Sequence, residues 1–484
     1  MIRSTLILLS TAATVIAQAP DTSWTRIYQN GTYEFANCVR ETSDGGFIIV
    51  GHTRTPSWDT DVYLMKTDEV GAINWIETFG GSEDDGGIAV EQTPDDGFII
   101  VGYTESFGAL QTDIYLIKTD SRGDSLWSNR FGGDSTDIGR SVYLTSDGGF
   151  LISGQTYLFG PGEMDAILIK IDSLGQETWS STFGGLAGEI DDGFAALETE
   201  DGGYMLVAQK GAFGPDPEDV WLIKLDENGD SLWTRTYGDE FVDRGLSLVR
   251  LTSGNYLIAG FAYSFRSESY DVYSVIIDEN GELLYSNTYG GFDTDLGIGG
   301  YQTFDGGCII SGYTRSFSQG ENDAYLIKIN QFGEMQWDYS FGGEEIDVAN
   351  SCVQSSDGGY LITGHTYSFG DNTADIFLIK LEPEVTEVDD YSEAIHPKKA
   401  ALSQNHPNPF NAATTISYTL PEQGEVVIHI YNLLGQRVAT VFEGTREAGG
   451  HTITWDAADF PSGVYFARLE TGEQSENITL VLLK

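Results

Sequence analysis

Short runs of apolar and aromatic residues, each closed by Gly, Asp or Ser, follow one another along most of the chain. GFLISGQ, AILIKI and TWSSTF, within residues 149–183, show the pattern. Such runs are too short for ordinary helices, carry the branched and aromatic residues that suit strands, and end at turn formers. They also recur. An aromatic residue near one strand end returns at Trp24, Trp75, Trp127, Trp179, Trp233, Tyr285 and Trp337, at spacings of 51, 52, 52, 54, 52 and 52 residues. Three phrases return with it: SDGGFLISGQT, DIYLIKTDSRG and SLWSNRFGG, each with close variants. Each unit therefore reads as four strands, a to d, with Asp-Gly-Gly at the a–b turn in most copies and Asp-x-x-Gly at the c–d turn, as at Asp120–Gly123 and Asp172–Gly175. A four-stranded unit at this period predicts a β-propeller blade.

Phase predicts how the ring closes. The chain enters at Trp24 with a lone strand d and leaves near Leu381 after a strand c. Six complete units lie between, and the last sheet, from about residue 349, lacks its fourth strand. Residues 24–28 are expected to supply it, which removes two open sheet edges. Residues 20–381 are thus expected to form a seven-bladed β-propeller. Its repeats resemble those of secreted bacterial β-propeller-repeat proteins, with the form DGGF…G.T.SFG…D.YLIK.D..G...W...FGG. That resemblance implies a propeller made for export and assigns no particular chemistry.

The two ends depart from the repeat. Arg3 precedes an apolar stretch from about Leu6 to Ile16, with small residues at Ala17 and Ala19. That order predicts a secretory signal peptide over 1–19, since the apolar run is too short to span a bilayer. No later apolar run is long enough either, so no integral membrane segment is expected in the mature chain. Residues 382–400 are acidic and irregular and read as a linker. From 401 to 484, alternating short runs suggest six or seven strands and a small immunoglobulin-like β-sandwich, so the whole chain is expected to be all-β. Pro407-Asn-Pro-Phe410, the Leu-Gly within Asn432–Gln436, Ala448-Gly-Gly-His451 and Ser462-Gly-Val-Tyr-Phe466 closely resemble the type IX secretion C-terminal sorting domain, whose relatives include FlgD-like Ig-type modules. The resemblance implies the type IX secretion machinery as partner. It also implies a destination outside the outer membrane, secreted or on the cell surface of a Gram-negative-type bacterium.

Charge narrows the partners. Lys and Arg total 25 against 74 Asp and Glu, a net charge of −49, which repels phosphate and disfavours nucleic acid. Three cysteines are too few for a disulfide framework and leave at least one thiol free.

Two acidic sets fall on the face that carries the b–c and d–a connections. One precedes strand c: Asp61, Asp113, Asp165, Asp219, Asp271, Asp323 and Asp375. The other precedes strand a: Glu34, Asp85, Asp137, Asp191 or Asp192, Asp243, Asp295 and Asp347. A carboxylate ring could collect Ca²⁺, which wants several oxygens, but a residue repeated in every unit is first expected to hold its own turn. No resident cofactor or metal site is therefore expected. The strand-c lysines (Lys66, Lys118, Lys170, Lys224, Lys328, Lys380) are expected to pair with these acids. Asp226–Asp230 lacks the twelfth-position ligand of a calcium loop and sits where a hairpin turn is needed.

Enzymatic signatures are weak. The c–d turn, D-x-x-G-x-x-x-W, resembles the Asp box of sialidase-type propellers but is one residue too long at both spacings. It also resembles the quinoprotein repeat without its Thr, which leaves only the docking of Trp on a neighbouring blade. No G-x-S-x-G elbow occurs, and the even repeat spacing leaves no inserted lid. The expected function is a binding or adhesion propeller for protein or glycan; the alternative is an extracellular hydrolase or lyase acting on polysaccharide at a cryptic site on the propeller face. Departures from the repeat mark where a ligand would sit. Strand b ends in Tyr103, Gln155, Gln209, Phe261 and Tyr313, but in His52 and His365 in the first and last units, which become neighbours on closure. Trp58 stands in a shortened b–c loop where other copies have Ser-Phe-Gly. His52, Trp58 and His365 are the candidate ligand-binding residues, with no catalytic residue assigned.

Overall fold

The computed structural model describes residues 19–29, 33–157, 164–185, 190–211, 219–238, 241–264, 268–370 and 373–384, and, towards the C-terminus, 401–402, 410, 412–420, 423–433, 435–446, 449–458, 460–472 and 474–482. The expected signal peptide up to residue 18 and the linker from residue 385 lie outside them. The chain divides into two compact units, Met1–Val385 and Thr386–Lys484. All the regular elements among the described residues are strands, and no helix is long and apolar enough to cross a membrane.

The first unit is a β-propeller built from seven four-stranded antiparallel groupings; the third and fourth are also joined by a single Met164–Ile190 bridge. The first sheet runs Glu34–Glu41, Phe47–Arg54, Thr60–Thr67, Ile73–Phe79, and the same a-b-c-d order repeats. The last sheet contains Asp347–Gln354, Tyr360–Thr366 and Asp375–Leu381, and Thr22–Tyr28 completes it. Trp24 lies opposite Lys380, and Tyr28 opposite Ile376. The ring then closes: Asn350 Nδ2 donates to the Ala36 carbonyl at 2.8 Å, and Ser356 N donates to Glu41 Oε2 at 2.8 Å.

Strands b and c are buried along their length, as in Asp113–Thr119, because each sheet is covered on both faces by its neighbours. That is why they read as continuous apolar runs rather than alternating ones. Between the last two sheets the core consists of residues such as Leu326, Trp337, Ile362 and Phe377. The c–d turns lock one sheet to the preceding one. Gly123 has φ +87, and a Cβ there would come within 2.8 Å of the Trp75 ring. The turn therefore needs glycine twice, for its left-handed backbone and for the aromatic ring docked on it. The D-x-x-G and W signatures are two halves of one contact between sheets.

The lysine expectation is corrected. Lys66, Lys170, Lys224, Lys328 and Lys380 pair with Asp44, Asp147, Asp201, Asp305 and Asp357 of the a–b turns at 2.6–2.9 Å, and Lys118 with Asp95 at 3.1 Å. Lys66 lies five residues along strand c from Asp61, roughly 16 Å, so it reaches the opposite face of the ring. Burial opposes ionisation of Asp44, but hydrogen bonds from Thr42 and Lys66 prevail and hold its carboxyl at about 2. Asp226 accepts from Asn228 N at 2.9 Å and Asp230 N at 3.0 Å, so its carboxylate closes the hairpin turn. All three cysteines are free and buried.

Strand a of each sheet carries a β-bulge: Asn37, Ile88, Arg140, Phe194, Leu246, Ile298 and Asn350 are the extra residues. All seven line a central cavity of about 1070 Å³. A bulge re-aims side chains, and here it turns one per sheet towards the axis.

The second unit has a sheet of Ala401–Leu402, Ala413–Leu420 and Gly449–Asp456, and another of Arg437–Arg446, Gly424–Asn432, Gly463–Thr471 and Gln474–Leu482. Phe410 of the Pro-Asn-Pro-Phe motif is buried, with its ring 5.6 Å from Trp455 and its N–H on the Val481 carbonyl at 2.9 Å.

Candidate functional site

Ring closure sets strand b of the first sheet beside strand b of the last, and a side chain from strand a fills the gap. Phe35 stacks on His52 with centroids 4.8 Å apart and planes at 17°, and meets His365 at 4.6 Å and 55°. The two imidazoles therefore do come together, with an aromatic ring between them. Burial pushes the His52 imidazole down to about 4, against the opposing pull of Asp84. Burial does the same to His365, reinforced by His52. Both rings are neutral at pH 7 and form the half-buried floor of the site.

Trp58 is not in contact with that floor through any ring pairing; it stands outward, 76% exposed. The Arg54 guanidinium lies 5.3 Å from the Trp58 ring centroid and 4.7 Å from that of Tyr33, so a cation is held by two aromatic faces. Tyr367 meets His365 edge-on at 6.0 Å. Burial holds its phenol above the usual tyrosine range, with Tyr33 adding to the shift and Arg54 opposing it. Carboxylates rim the sector: Asp84 accepts from Thr60 N at 2.8 Å, and Asp59 accepts from Thr55 Oγ1.

The backbone under Trp58 is strained. Residues Thr55–Trp58 form a turn closed by Trp58 N on the Thr55 carbonyl at 3.1 Å, and Trp58 has φ +78. A bulky residue in the left-handed region costs about 1–3 kcal/mol, a cost that glycine avoids. Folding alone gives no reason to keep Trp there.

Tyr33, Phe35 and Arg54 were not singled out by the repeat comparison. Phe35 carries a readable signal: its counterparts are Gly86, Ile138, Asp192, Arg244, Leu296 and Val348, none of them aromatic. The central cavity is a second concavity, but its charges are spent internally. Arg40, Arg140 and Arg250 pair with Glu91, Asp192 and Glu200.

The neutral histidines make a pH prediction. Their folded pKa lies below the unfolded value, so protonation favours the unfolded chain; stability is full above about 6.5 and is lost as pH falls towards 4. His365→Gln, which installs a residue used at this position in two other sheets, is expected to flatten the fall in melting temperature over that window. Parallel melting curves of parent and variant would contradict the assignment.

The fold and the C-terminal tail together define a class: a β-propeller protein that carries an export signal. Residues 405–482 match the family described as the secretion system C-terminal sorting domain. Among curated proteins the chain is similar to the regulatory protein FlaEY of Caulobacter vibrioides, at 26% identity over 212 residues, covering 38% of this chain and 22% of that protein. The chain thus spans less than a quarter of that relative. Among solved structures it is similar to a puromycin hydrolase at 13% identity, covering 80% of this chain and 59% of the other, with a TM-score of 0.47. It is also similar to a Dyadobacter fermentans protein of unknown function (11% identity, 76% and 100% coverage, TM-score 0.44). A third likeness is to the β-propeller domain of the Trilobed protease of Pyrococcus furiosus (10% identity, 75% and 99% coverage, TM-score 0.42). The seven repeated sheets of the chain itself carry the fold assignment.

Proposed function

We propose that this protein is an exported binding and adhesion propeller that captures a glycan or protein at the closure seam, through the Tyr33–Arg54–Trp58 platform above Phe35, His52 and His365. The observation that carries the proposal is Trp58, exposed on a backbone that would be relaxed by glycine. A flat apolar ring beside a guanidinium, rimmed by carboxylates, suits the CH face and hydroxyls of a sugar or an aromatic side chain. Residues 1–19 serve as the leader, 382–400 as a linker, and the Ig-type module at 401–484 as the signal for passage by the type IX machinery to the medium or the cell surface.

Glycan and protein arrays probed with the full-length chain test the reading. Trp58→Gly is expected to lose binding while melting at or above the parent temperature, because it releases strain and removes only an exposed ring. Trp58→Ala should lose binding without that gain. A Trp58→Gly variant that binds as the parent does removes the seam from consideration.

A further inference from the structure

Where one sheet meets the next, an acidic residue at the start of strand c faces another at the start of the following strand a. Asp323 and Asp347 form one such pair, Asp61 and Asp85 a second, and Asp113 and Asp137 a third. The glycine between them is the reason they can meet. A Cβ on Gly342 would collide with Asp323 Oδ1 and sit 2.8 Å from Asp347 Oδ2; on Gly132 it would collide with Asp113 Oδ1 and sit 2.7 Å from Asp137 Oδ2. Both carboxyl groups thus converge on the bare Cα.

Asp85, Asp323 and Asp347 are buried and Asp61 is half-buried, and only part of each is satisfied. Asp323, Asp347 and Asp85 are at most 2% exposed. Asp347 Oδ2 accepts from Gly343 N at 2.9 Å and Ser368 Oγ at 2.6 Å, and Asp323 Oδ2 accepts from Gln319 N at 3.1 Å. Asp85 Oδ2 accepts from Gly81 N at 2.7 Å and Ser106 Oγ at 2.8 Å. The Oδ1 atoms of Asp61, Asp85, Asp323 and Asp347 are buried and receive no hydrogen bond. Of these, Asp323 Oδ1 points at the junction itself, since it occupies the space beside Gly342 that Asp347 also borders. Two facing carboxylates that each keep one buried oxygen unpaired and have no counter-charge are unfavourable when both are ionised, so a cation or a proton is needed to neutralise them.

The third pair shows what can. Arg130 Nη1 reaches Asp113 Oδ2 at 2.8 Å, so here the chain supplies its own cation. The position of Arg130, one residue before the aromatic residue that ends strand d, is Thr78 in the first sheet and Ser340 in the sixth. Neither can carry charge, and Arg315, near the sixth, donates to Asn322 instead at 3.0 Å.

We propose that the Asp61–Asp85 and Asp323–Asp347 junctions each bind a calcium ion, with the paired carboxylates as anionic ligands and neutral oxygens, including Ser106 or Ser368 Oγ and water, completing the shell. Calcium accepts irregular all-oxygen sets, whereas magnesium demands near-ideal octahedral geometry. Among the described residues no three acidic, His or Cys side chains converge, so the charge at each site is that of two carboxylates. That places affinity in the weak class of extracellular modules, about 10⁻⁴–10⁻³ M, which suits a protein that works outside the cell. Burial and the facing partner also raise the Asp61 and Asp323 carboxyls, so a shared proton is the competing occupant.

The test is calorimetric titration and thermal melting of the full-length chain at neutral pH, in CaCl₂ and in EDTA. Calcium is expected to bind and to raise the melting temperature saturably, with a midpoint of about 10⁻⁴–10⁻³ M. Ser340→Arg, which copies the Arg130 solution, should lower the calcium stoichiometry by one and raise the metal-free melting temperature. Arg130→Ser should do the reverse. Asp323→Asn, which keeps the shape, should also remove one site and serves if the arginine variant fails to fold. Identical melting in CaCl₂ and EDTA with no binding heat would assign the pairs to protons and overturn the proposal. So would calcium binding left unchanged by both Ser340→Arg and Asp323→Asn.

Discussion

Deletion of residues 18–30 is expected to abolish the cooperative melting of the propeller at the parent's temperature and to drive the chain into aggregates. Thr22–Tyr28 is the outer strand of the last sheet, and without it Asp375–Leu381 becomes an open edge. More than hydrogen bonds is lost. Tyr28 is buried, and its hydroxyl donates to the Gly71 carbonyl at 2.7 Å, while a Cβ on that same glycine would lie 2.9 Å from the Trp24 ring. The strand therefore completes the last sheet and also holds the first sheet's c–d turn. Burying side chains of this size contributes about 1.5–3 kcal/mol each. Tyr28 is buried and Trp24 and Ile27 are half-buried, so losing the three together removes roughly 3–5 kcal/mol, a large part of the stability of a typical domain. A truncated chain that melts like the parent would show that the ring does not depend on this closure.

Removal of residues 401–484 is expected to leave the propeller folded and in the periplasm of a type IX-competent host, with secreted and surface-bound protein reduced to background. The C-terminal unit has its own core, built on Phe410, Ile430, Trp455, Tyr465 and Leu480, so the deletion takes none of the propeller's buried residues. Phe410→Ala offers a subtler version. It empties a site packed against Trp455 and is expected to cost about 3–5 kcal/mol, enough to unfold a small module. Its export should fail in the same way. Equal amounts outside the cell with and without the module would contradict the role assigned to it.

The ring was legible in the sequence because every sheet repeats one set of local rules. The spacing of Trp24, Trp75 and their successors reflects a ring-on-glycine contact that Trp24, Trp75, Trp127, Trp179 and Trp233 each make with the next c–d turn, so its phase locates both the strands and the closing segment. The lysine partners differ from the expectation because acidic residues stand towards both ends of strand c, at its start and in the a–b turn; strand length decides between them, and Lys66 is too far along its strand to return to Asp61 but meets Asp44. The bulges were not legible, since the extra residue in strand a varies from Asn37 to Phe194 and becomes visible only in the register with strand b. The seam was half legible. His52 and His365 stand out as departures from the repeat, but Phe35 between them depends on a contact between residues more than 300 positions apart.

Hydrogen exchange of the full-length chain with and without the ligand found on the arrays tests the binding assignment most directly. The seam predicts new protection in the segments around residues 33–35, 52–59 and 365–367, with the other five sheets unchanged. Protection confined to the bulge residues of the central cavity, or spread evenly around the ring, would contradict it.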